Sequence, residues 1–393
     1  MSPDRGSPRD GASPDRSGAP GGERLRKTLA GKHVVICAGS GGVGKTTTSA
    51  ALALGLAAEG RRVAVVTIDP ARRLADALGL AELGNEPALV DPARLAGHGI
   101  EVQGELWAMM LDAKRTFDEL IGRLAPDERT RDDVLGNRIY QQLSSAVAGS
   151  QEFTAVAKLY DLHRSGRFDV LVLDTPPSRN ALDFLDAPDR LTHFFEGRAL
   201  KVFLAPTGLA ARVVGRGTSV VFTLLRRLTG VDLLEDLGVF FRALGGLIDG
   251  FRERAEGVKA LLSARSTTFL IVTSPEREPV EEAIFFRSKL RDAKMPFGGL
   301  VVNRVHELHG ADGRAPAEVE AQLTETLGAK LAGKVAKTYA EALVLAERDA
   351  AAIERLRERT GEKEPVVVPQ LGGDVHDVDG LVRVHAHLFG DGA

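Results

Sequence analysis

The chain has 393 residues, of which 44% are hydrophobic, and its 51 basic and 54 acidic side chains leave a net charge of −3. This length supports one large α/β domain or two ordinary ones, and the balanced charge gives no electrostatic reason to expect nucleic acid as a partner. A single cysteine excludes a disulfide framework and a zinc site built from cysteine pairs within one chain. No apolar stretch reaches the length of a membrane span and no signal peptide is recognisable, so we expect a cytosolic protein.

The first 28 residues differ in composition from the rest of the chain. They are rich in Pro, Gly, Ser, Asp and Arg and carry few large apolar side chains. Because so little apolar surface does not offset the entropy that a chain loses on ordering, we predict that residues 1–28 are a disordered tail that serves as a spacer. The folded domain is therefore predicted over 29–393.

Short apolar runs alternate with helical segments along the predicted domain. Seven such runs are predicted strands: 33–38, 62–70, 106–113, 168–177, 267–275, 297–305 and 365–371. Alternation of strands and helices is typical of an α/β fold with a mostly parallel sheet that helices cover on both faces.

Two long helical stretches interrupt this alternation, at about 114–165 and 180–264, and they predict an inserted helical lobe. Within 233–262, apolar residues recur at spacings of three and four and give one wide apolar stripe. The stripe is either a groove for an apolar client helix or the core of the lobe, and the sequence leaves both alternatives open. A third helical stretch, at about 315–358, is strongly charged.

The segment after the first predicted strand matches the pattern G-x-x-x-x-G-K-[ST]. Its glycines let backbone N–H groups turn inward around phosphate oxygens, and the following helix directs its positive end at the same anion. Lys45 supplies a charge for the β- and γ-phosphates of ATP, and Thr46 offers its hydroxyl to Mg²⁺. The pattern therefore predicts a P-loop NTPase fold. The predicted nucleotide-binding residues of this loop are Gly39, Ser40, Gly41, Gly42, Val43, Gly44, Lys45, Thr46 and Thr47.

Polar residues end three of the predicted strands. Asp69 and Asp174 each follow an apolar run, and the ends of parallel strands share one sheet edge with the phosphate loop. A carboxylate at that edge holds Mg²⁺ or orients the attacking water, whereas the alternative is a turn or helix-cap residue. Asn303 ends another run, where its amide either contacts the edge of adenine or closes a turn.

Five segments occur in order along the chain: GSGGVGKTT, TIDPA, ELWAMMLDA, VLDTPPS and VVNR. This ordered set resembles the family of arsenite-pump and tail-anchored-protein-targeting ATPases, a dimeric class with a deviant Walker A loop, over about residues 32–388. The resemblance implies a Mg²⁺-dependent ATPase dimer with ATP near the subunit interface. It implies that Asp69 activates the water, that Lys45 and Asp174 are catalytic, and that Thr46 and Asp174 hold the metal. Asn303 and the loop around Pro369 are then expected to contact adenine.

Ser40 stands where the family carries a lysine that reaches across the dimer to the partner's phosphates. Serine has neither the charge nor the length to do so. Either an arginine replaces the lysine (Arg72, Arg73 or Arg179), or a paralogous partner supplies it, or the ATPase is slow. The segment DTPPSRN, which begins at Asp174, corresponds to the second switch of the family. Relatives usually have a glycine at the position of Arg179, where the arginine side chain would crowd the γ-phosphate.

The residues of this chain fit some of the family's known activities better than others. Cys37, the single cysteine, cannot form the metalloid site of an arsenite pump, so arsenite transport is disfavoured. We expect an ATP-driven switch, as a homodimer or a heterodimer with a paralogous ATPase, that handles a hydrophobic client or a membrane-protein partner. The alternative is a regulatory or metabolite-sensing ATPase subunit that works with a paralogous partner and has no apolar client. A cargo-positioning ATPase on a membrane or nucleoid fits least, because the chain has no basic excess.

Overall fold

An eight-stranded sheet forms the centre of the computed structural model, which describes residues 20–68, 72–143, 150–176, 245, 247–307, 314–373, 375 and 377–390. The strands are β1 (Val34–Ala38), β2 (Arg62–Thr67), β3 (Ala88–Leu89), β4 (Glu105–Met110), β5 (Val170–Asp174), β6 (Thr267–Thr273), β7 (Phe297–Val305) and β8 (Val366–Pro369). The helices within these residues are α1 (Pro20–Leu29), α2 (Lys45–Ala58), α3 (Arg73–Ala77), α4 (Pro92–Ala96), α5 (Ala113–Leu124), α6 (Glu128–Leu135), α7 (Arg138–Leu143), α8 (Ser150–Arg164), α9 (Ile248–Ser263), α10 (Arg277–Asp292), α11 (Pro316–Leu327), α12 (Ala329–Thr360) and α13 (Val378–Phe389).

The strand order is β3-β4-β2-β5-β1-β6-β7-β8, and every neighbouring pair is parallel except β3 with β4. The predicted mostly parallel α/β sheet is therefore confirmed, and seven of its strands correspond to the predicted runs. The run at 106–113 was predicted too long, since β4 ends at Met110 and α5 begins at Ala113. The edge strand β3 was not predicted, because it has only two residues and both are exposed.

Helices cover both faces of the sheet, as predicted, and this explains why the central strands are continuously apolar. In β1, Val35 and Cys37 pack into a core shared with α1, α2 and α13. Val34 and Ile36 pack into a second core shared with α8, α9, α10 and α12. Successive side chains of a strand point to opposite faces, so a strand between two helical layers has no exposed face for polar residues.

The prediction of a disordered tail over 1–28 is wrong for residues 20–28, which belong to α1. Leu25 and Leu29, four residues apart on one side of this helix, are 4% and 1% exposed in the core that includes α13. Burial of the two leucines stabilises the helix by about 3–6 kcal/mol. The average composition of the segment does not predict this burial. Residues 1–19 lie outside the described part of the chain.

In the first helical stretch, predicted at about 114–165, the described residues up to 143 and from 150 onward contain four helices, α5 to α8. Of the second stretch, only 245 and 247–264 are described. Here Leu247 and Phe251 are fully buried, and a Cβ on Gly250 would lie 2.8 Å from Leu124. The described part of the apolar stripe is thus core, and 233–244 lies outside the described residues. None of the helices in the described part of the chain combines the length and the apolar character that crossing a membrane requires.

Candidate active site

The loop between β1 and α2 has the backbone conformation that its glycines allow. Gly39 and Gly44 have φ angles of 155° and 90°. A Cβ on Gly39 would lie 1.9 Å from the carbonyl oxygen of Val272, and a Cβ on Gly44 would lie 2.2 Å from Nδ2 of Asn303. These two positions therefore need glycine both for the turn and for the close approach of β6 and β7.

Lys45 and Ser40 are connected to each other and to α10. Lys45 is 6% exposed, and its Nζ donates a 2.7 Å hydrogen bond to the carbonyl oxygen of Ser40. The hydroxyl of Ser40 donates to the carboxylate of Glu282 in α10. At the position where the family has a lysine, this chain therefore has a serine that is hydrogen-bonded to a carboxylate of α10. Nothing in the spacing of α10 predicted a role for Glu282 at this loop.

The carboxylate of Asp174 lies next to two hydroxyl groups. Asp174 ends β5, where it is the register partner of Cys37 in β1 and of Thr67 in β2. Its Oδ2 accepts hydrogen bonds from the hydroxyls of Thr46, at 2.7 Å, and Thr67, at 2.9 Å. Asp174 is 1% exposed. Carboxylate and hydroxyl oxygens are the donors that Mg²⁺ prefers, so this arrangement fits a magnesium site.

A cavity of about 370 Å³ opens beside the phosphate loop. It brings together segments far apart in sequence because β7 and β8 end next to each other, with Val305 opposite Pro369. Most of the predicted nucleotide-binding residues with described positions line it, together with residues that the sequence analysis did not assign. The lining residues are Gly42, Gly44, Lys45, Thr46, Thr47, Arg73, Asp76, Thr175, Asn303, Arg304, Pro369, Gln370, Leu371, Gly373, Val375 and Val384.

Asn303 joins the β7 edge to the phosphate loop. Its Nδ2 donates a 2.9 Å hydrogen bond to the carbonyl oxygen of Val43, whose side chain is buried in the core. The next residue, Arg304, lines the cavity with a φ of 62°, a left-handed conformation that is uncommon for an arginine. Backbone strain of this kind is typical of functional sites, and the only sequence signal for Arg304 was its place in the VVNR segment.

The remaining predicted site residues are only partly brought together. Arg73 lines the cavity, whereas Arg72 is exposed just before α3. Gly41 is exposed in the phosphate loop. Asp69 and Arg179 lie outside the described residues.

Cys37 is fully buried in β1. Burial, with a smaller contribution from the negative charge of Asp174, raises the pKa of this thiol to about 12. The thiol is therefore protonated at neutral pH and is not suited to bind a soft metal or to act as a nucleophile.

Comparisons with known proteins point to one family. The family model of the anion-transporting ATPases matches residues 32–346. The chain is 28% identical over 256 residues to "Putative arsenical pump-driving ATPase 1" of Aquifex aeolicus, an alignment that covers 64% of this chain and 58% of the relative. It is 29% identical over 298 residues to "ATPase ARSA1" of Chlamydomonas reinhardtii, covering 70% of this chain and 35% of that protein. It is 33% identical over 158 residues to "ATPase get3" of Aspergillus terreus, covering 39% of this chain and 42% of the relative. The matched region thus spans less than two thirds of the length of each of these relatives.

Proposed function

Because the chain belongs to the anion-transporting ATPase family, whose model covers residues 32–346, we propose that it binds ATP with Mg²⁺ and hydrolyses it. The observation that carries this proposal is the arrangement around one cavity. Lys45, Thr46, Asn303 and Pro369 line it, and Asp174 is hydrogen-bonded to Thr46. These residues follow or end parallel strands, and ligands of α/β sheets bind outside those strand ends.

Lys45 is the group that binds the β- and γ-phosphates in this proposal. To do so its ammonium exchanges the carbonyl oxygen of Ser40 for phosphate oxygens. The exchange favours ATP, since a hydrogen bond between two charged groups is stronger than one to a neutral carbonyl. The first N–H groups of α2, which have no partner within the helix, point at the same phosphates.

Thr46 and Asp174 are the residues that would hold Mg²⁺, which when bound neutralises charge on the phosphate oxygens. The two side chains already lie within hydrogen-bond distance of each other. Asn303 and Pro369, which line the same cavity, would contact the adenine ring. Asp69 is assigned the orientation of the attacking water on the resemblance alone.

We further propose that the ATPase is a dimeric switch that couples ATP-driven closure to a hydrophobic client or a membrane-protein partner. A γ-phosphate bound between two subunits stabilises a closed state, and its loss on hydrolysis releases it. The ordered motif set supports this part of the proposal.

The alternative, a regulatory ATPase that works with a paralogous subunit, is favoured by the contact between Ser40 and Glu282. The chain lacks the family's lysine at residue 40, and a carboxylate lies next to that position instead. A lysine or arginine from a paralogous partner would meet an opposite charge there, which favours a heterodimer.

ATP turnover of the purified chain, alone and mixed with a paralogue that carries the lysine, tests the proposal. We expect Mg²⁺-dependent turnover that Lys45→Ala and Asp69→Asn abolish and that Lys27→Ala, a change in an exposed lysine paired with Glu23, leaves intact. Faster turnover in the mixture supports the heterodimer. Equal turnover of Asp69→Asn and the parent contradicts the role of Asp69, and absence of ATP binding in every mixture contradicts the whole proposal.

The client is tested with a defined probe. A synthetic apolar helical peptide is expected to sediment with the protein in the ATP state and to be released in the ADP state. Equal binding in both states, or binding in neither, contradicts the client function and leaves the regulatory alternative.

A further inference from the structure

A second cavity, of about 350 Å³, lies between the C-terminal halves of α10 and α12. It is lined by Ile284, Arg287, Ser288, Arg291, Arg359 and Thr360, and we call it the arginine pocket. It shares no lining residue with the cavity at the phosphate loop. Arg291 is nine residues beyond Glu282 on α10, which corresponds to about 13 Å along a helix.

Arg287 forms no ion pair within the described residues. Its Nε is buried and has no hydrogen-bond acceptor there. Its guanidinium packs over the ring of Phe297, with 4.2 Å between the guanidinium carbon and the ring centroid. Burial and the nearby charge of Arg291 lower the pKa of Arg287, whereas Glu362 opposes this effect.

The carboxylate whose charge acts on Arg287 already has an ion-pair partner. Glu362, whose side chain is 3% exposed, forms a 2.5 Å ion pair with Arg24 of α1. On α12, Arg355 and Arg357 pair with carboxylates, but among the described residues Arg359 has no ion pair.

Arginines near helix ends have an ordinary explanation, since positive charge stabilises a helix C-terminus. That explanation covers Arg291 and Arg359, which lie in the last turns of α10 and α12. It does not cover Arg287, which lies before the last turn of α10 and lines the cavity, while its buried Nε has no acceptor among the described residues. A buried donor without an acceptor destabilises the fold unless a ligand or solvent satisfies it.

We propose that the arginine pocket binds a small organic ligand that carries phosphate groups. Guanidinium groups match phosphate oxygens in geometry and charge, and the hydroxyl of Ser288 adds a donor. The hydroxyl of Thr360 is occupied, because it donates to the carbonyl oxygen of Leu356 and accepts from the N–H of Glu362. The volume far exceeds the ~30 Å³ share of one water molecule. Ile284 provides an apolar wall for the organic part of the ligand.

Calorimetric titration of the full chain with inorganic pyrophosphate tests this site. Because pyrophosphate also binds phosphate loops, the titration is done on protein saturated with Mg²⁺ and ADP and, separately, on Lys45→Ala. In both backgrounds we expect one binding event that Arg287→Gln weakens at least about tenfold, the effect of one lost charge-assisted hydrogen bond. The matched control is Arg355→Gln, which removes an arginine of α12 that is paired with Glu281. It should bind pyrophosphate like the parent.

The proposal is overturned if no binding occurs at millimolar pyrophosphate, or if Arg287→Gln binds as tightly as Arg355→Gln. Arg359→Gln, a change at an exposed residue, replaces Arg287→Gln if circular dichroism finds that variant unfolded. Sedimentation with phosphatidic acid vesicles separates the two sources of phosphate. Binding to vesicles that Arg287→Gln abolishes assigns a lipid headgroup, and binding to free pyrophosphate alone assigns a soluble ligand.

Discussion

The cavity at the phosphate loop and the arginine pocket adjoin different parts of α10, and they hold their charges in opposite ways. At the phosphate loop, Lys45 donates to the carbonyl of Ser40, and Asp174 accepts from Thr46 and Thr67. In the arginine pocket, the buried Nε of Arg287 has no acceptor among the described residues. A ligand at the first site must therefore replace hydrogen bonds that exist already, whereas a ligand at the second supplies a missing one. Hydrogen bonds within the protein keep the phosphate loop ordered without its ligand. A ligand that binds to unpaired groups in the arginine pocket would stabilise the fold.

The largest difference between the two sites is expected from Lys45→Ala. Removing a charged donor from the transferred phosphate costs about 3–4 kcal/mol of transition-state stabilisation, so ATP turnover should fall at least about a hundredfold. Pyrophosphate binding at the arginine pocket should not change. Steady-state turnover and calorimetry of the same preparation measure both effects. A variant that keeps more than about a tenth of the parent's turnover would contradict the role of Lys45.

The charge of Asp174 is expected to matter more than its hydrogen bonds. Asp174→Asn keeps an acceptor for Thr46 or Thr67 but loses the negative charge that attracts Mg²⁺. Turnover should fall about tenfold to a hundredfold and require more Mg²⁺ for half-saturation. Titration of turnover with Mg²⁺ measures this, and Asp169→Asn is the control.

Asp169 lies just before the other end of β5, where it pairs with Arg62 at 2.7 Å. If Asp169→Asn raises the Mg²⁺ requirement as much as Asp174→Asn does, the effect comes from the fold and not from the site.

Acid should lower the stability of the fold through His385 of α13. This histidine is buried, and the preceding residue, Val384, lines the cavity at the phosphate loop. Burial, with a smaller effect of Arg26, lowers the pKa of His385 from 6.5 to about 4, and Arg26 is itself paired with Glu59. The unfolded chain binds a proton below pH 6.5 and the folded chain only near pH 4. The contribution of His385 to the free energy of unfolding is therefore fully present above pH 6.5. About 3 kcal/mol of this free energy is lost as the pH falls toward 4.

Urea unfolding at pH 7 and pH 4.5 measures this loss. His385→Gln should lose less stability than the parent over that interval, since glutamine does not titrate. His98→Gln is the control, because His98 is a more exposed histidine paired with Asp379. Identical pH dependence of the parent and His385→Gln would rule out His385 as the source.

The smallest effect is expected from Ser40→Ala. The change removes the hydrogen bond to Glu282, which contributes about 1 kcal/mol to the free energy of unfolding. It leaves the contact of Lys45 intact, because that contact uses the backbone carbonyl of residue 40. Turnover should change less than about threefold. A loss of more than about tenfold would mean that the link to α10 takes part in the reaction.

Much of the sheet was predictable because burial on both faces leaves a strong signal in the sequence. The strand β6 illustrates this, since all seven of its residues are buried. The edge strand β3 escaped prediction because it consists of two exposed residues held by antiparallel pairing with Trp107 and Ala108. Helix α1 escaped because its stability comes from Leu25 and Leu29 packing against distant elements and not from its own composition.

The candidate site divides in the same way. Lys45 and Thr46 lie in one continuous segment, so their roles could be predicted from the sequence pattern without a structure. Asn303 and Pro369 were assigned through a family resemblance, and both line the same cavity as Lys45. Glu282 could not be predicted, because its contact with Ser40 joins residues 242 positions apart.

Residues close together in the chain are enough to predict the alternation of strands and helices and the phosphate loop. The pairing of charges, in contrast, is visible only once the chain is folded. Whether Lys45, Asp174 and Arg287 have partners depends on the side chains that strand order and helix packing bring next to them, and neither follows from local sequence. Distant segments meet because burying their apolar faces stabilises the fold, and polar groups next to those faces are carried along with them.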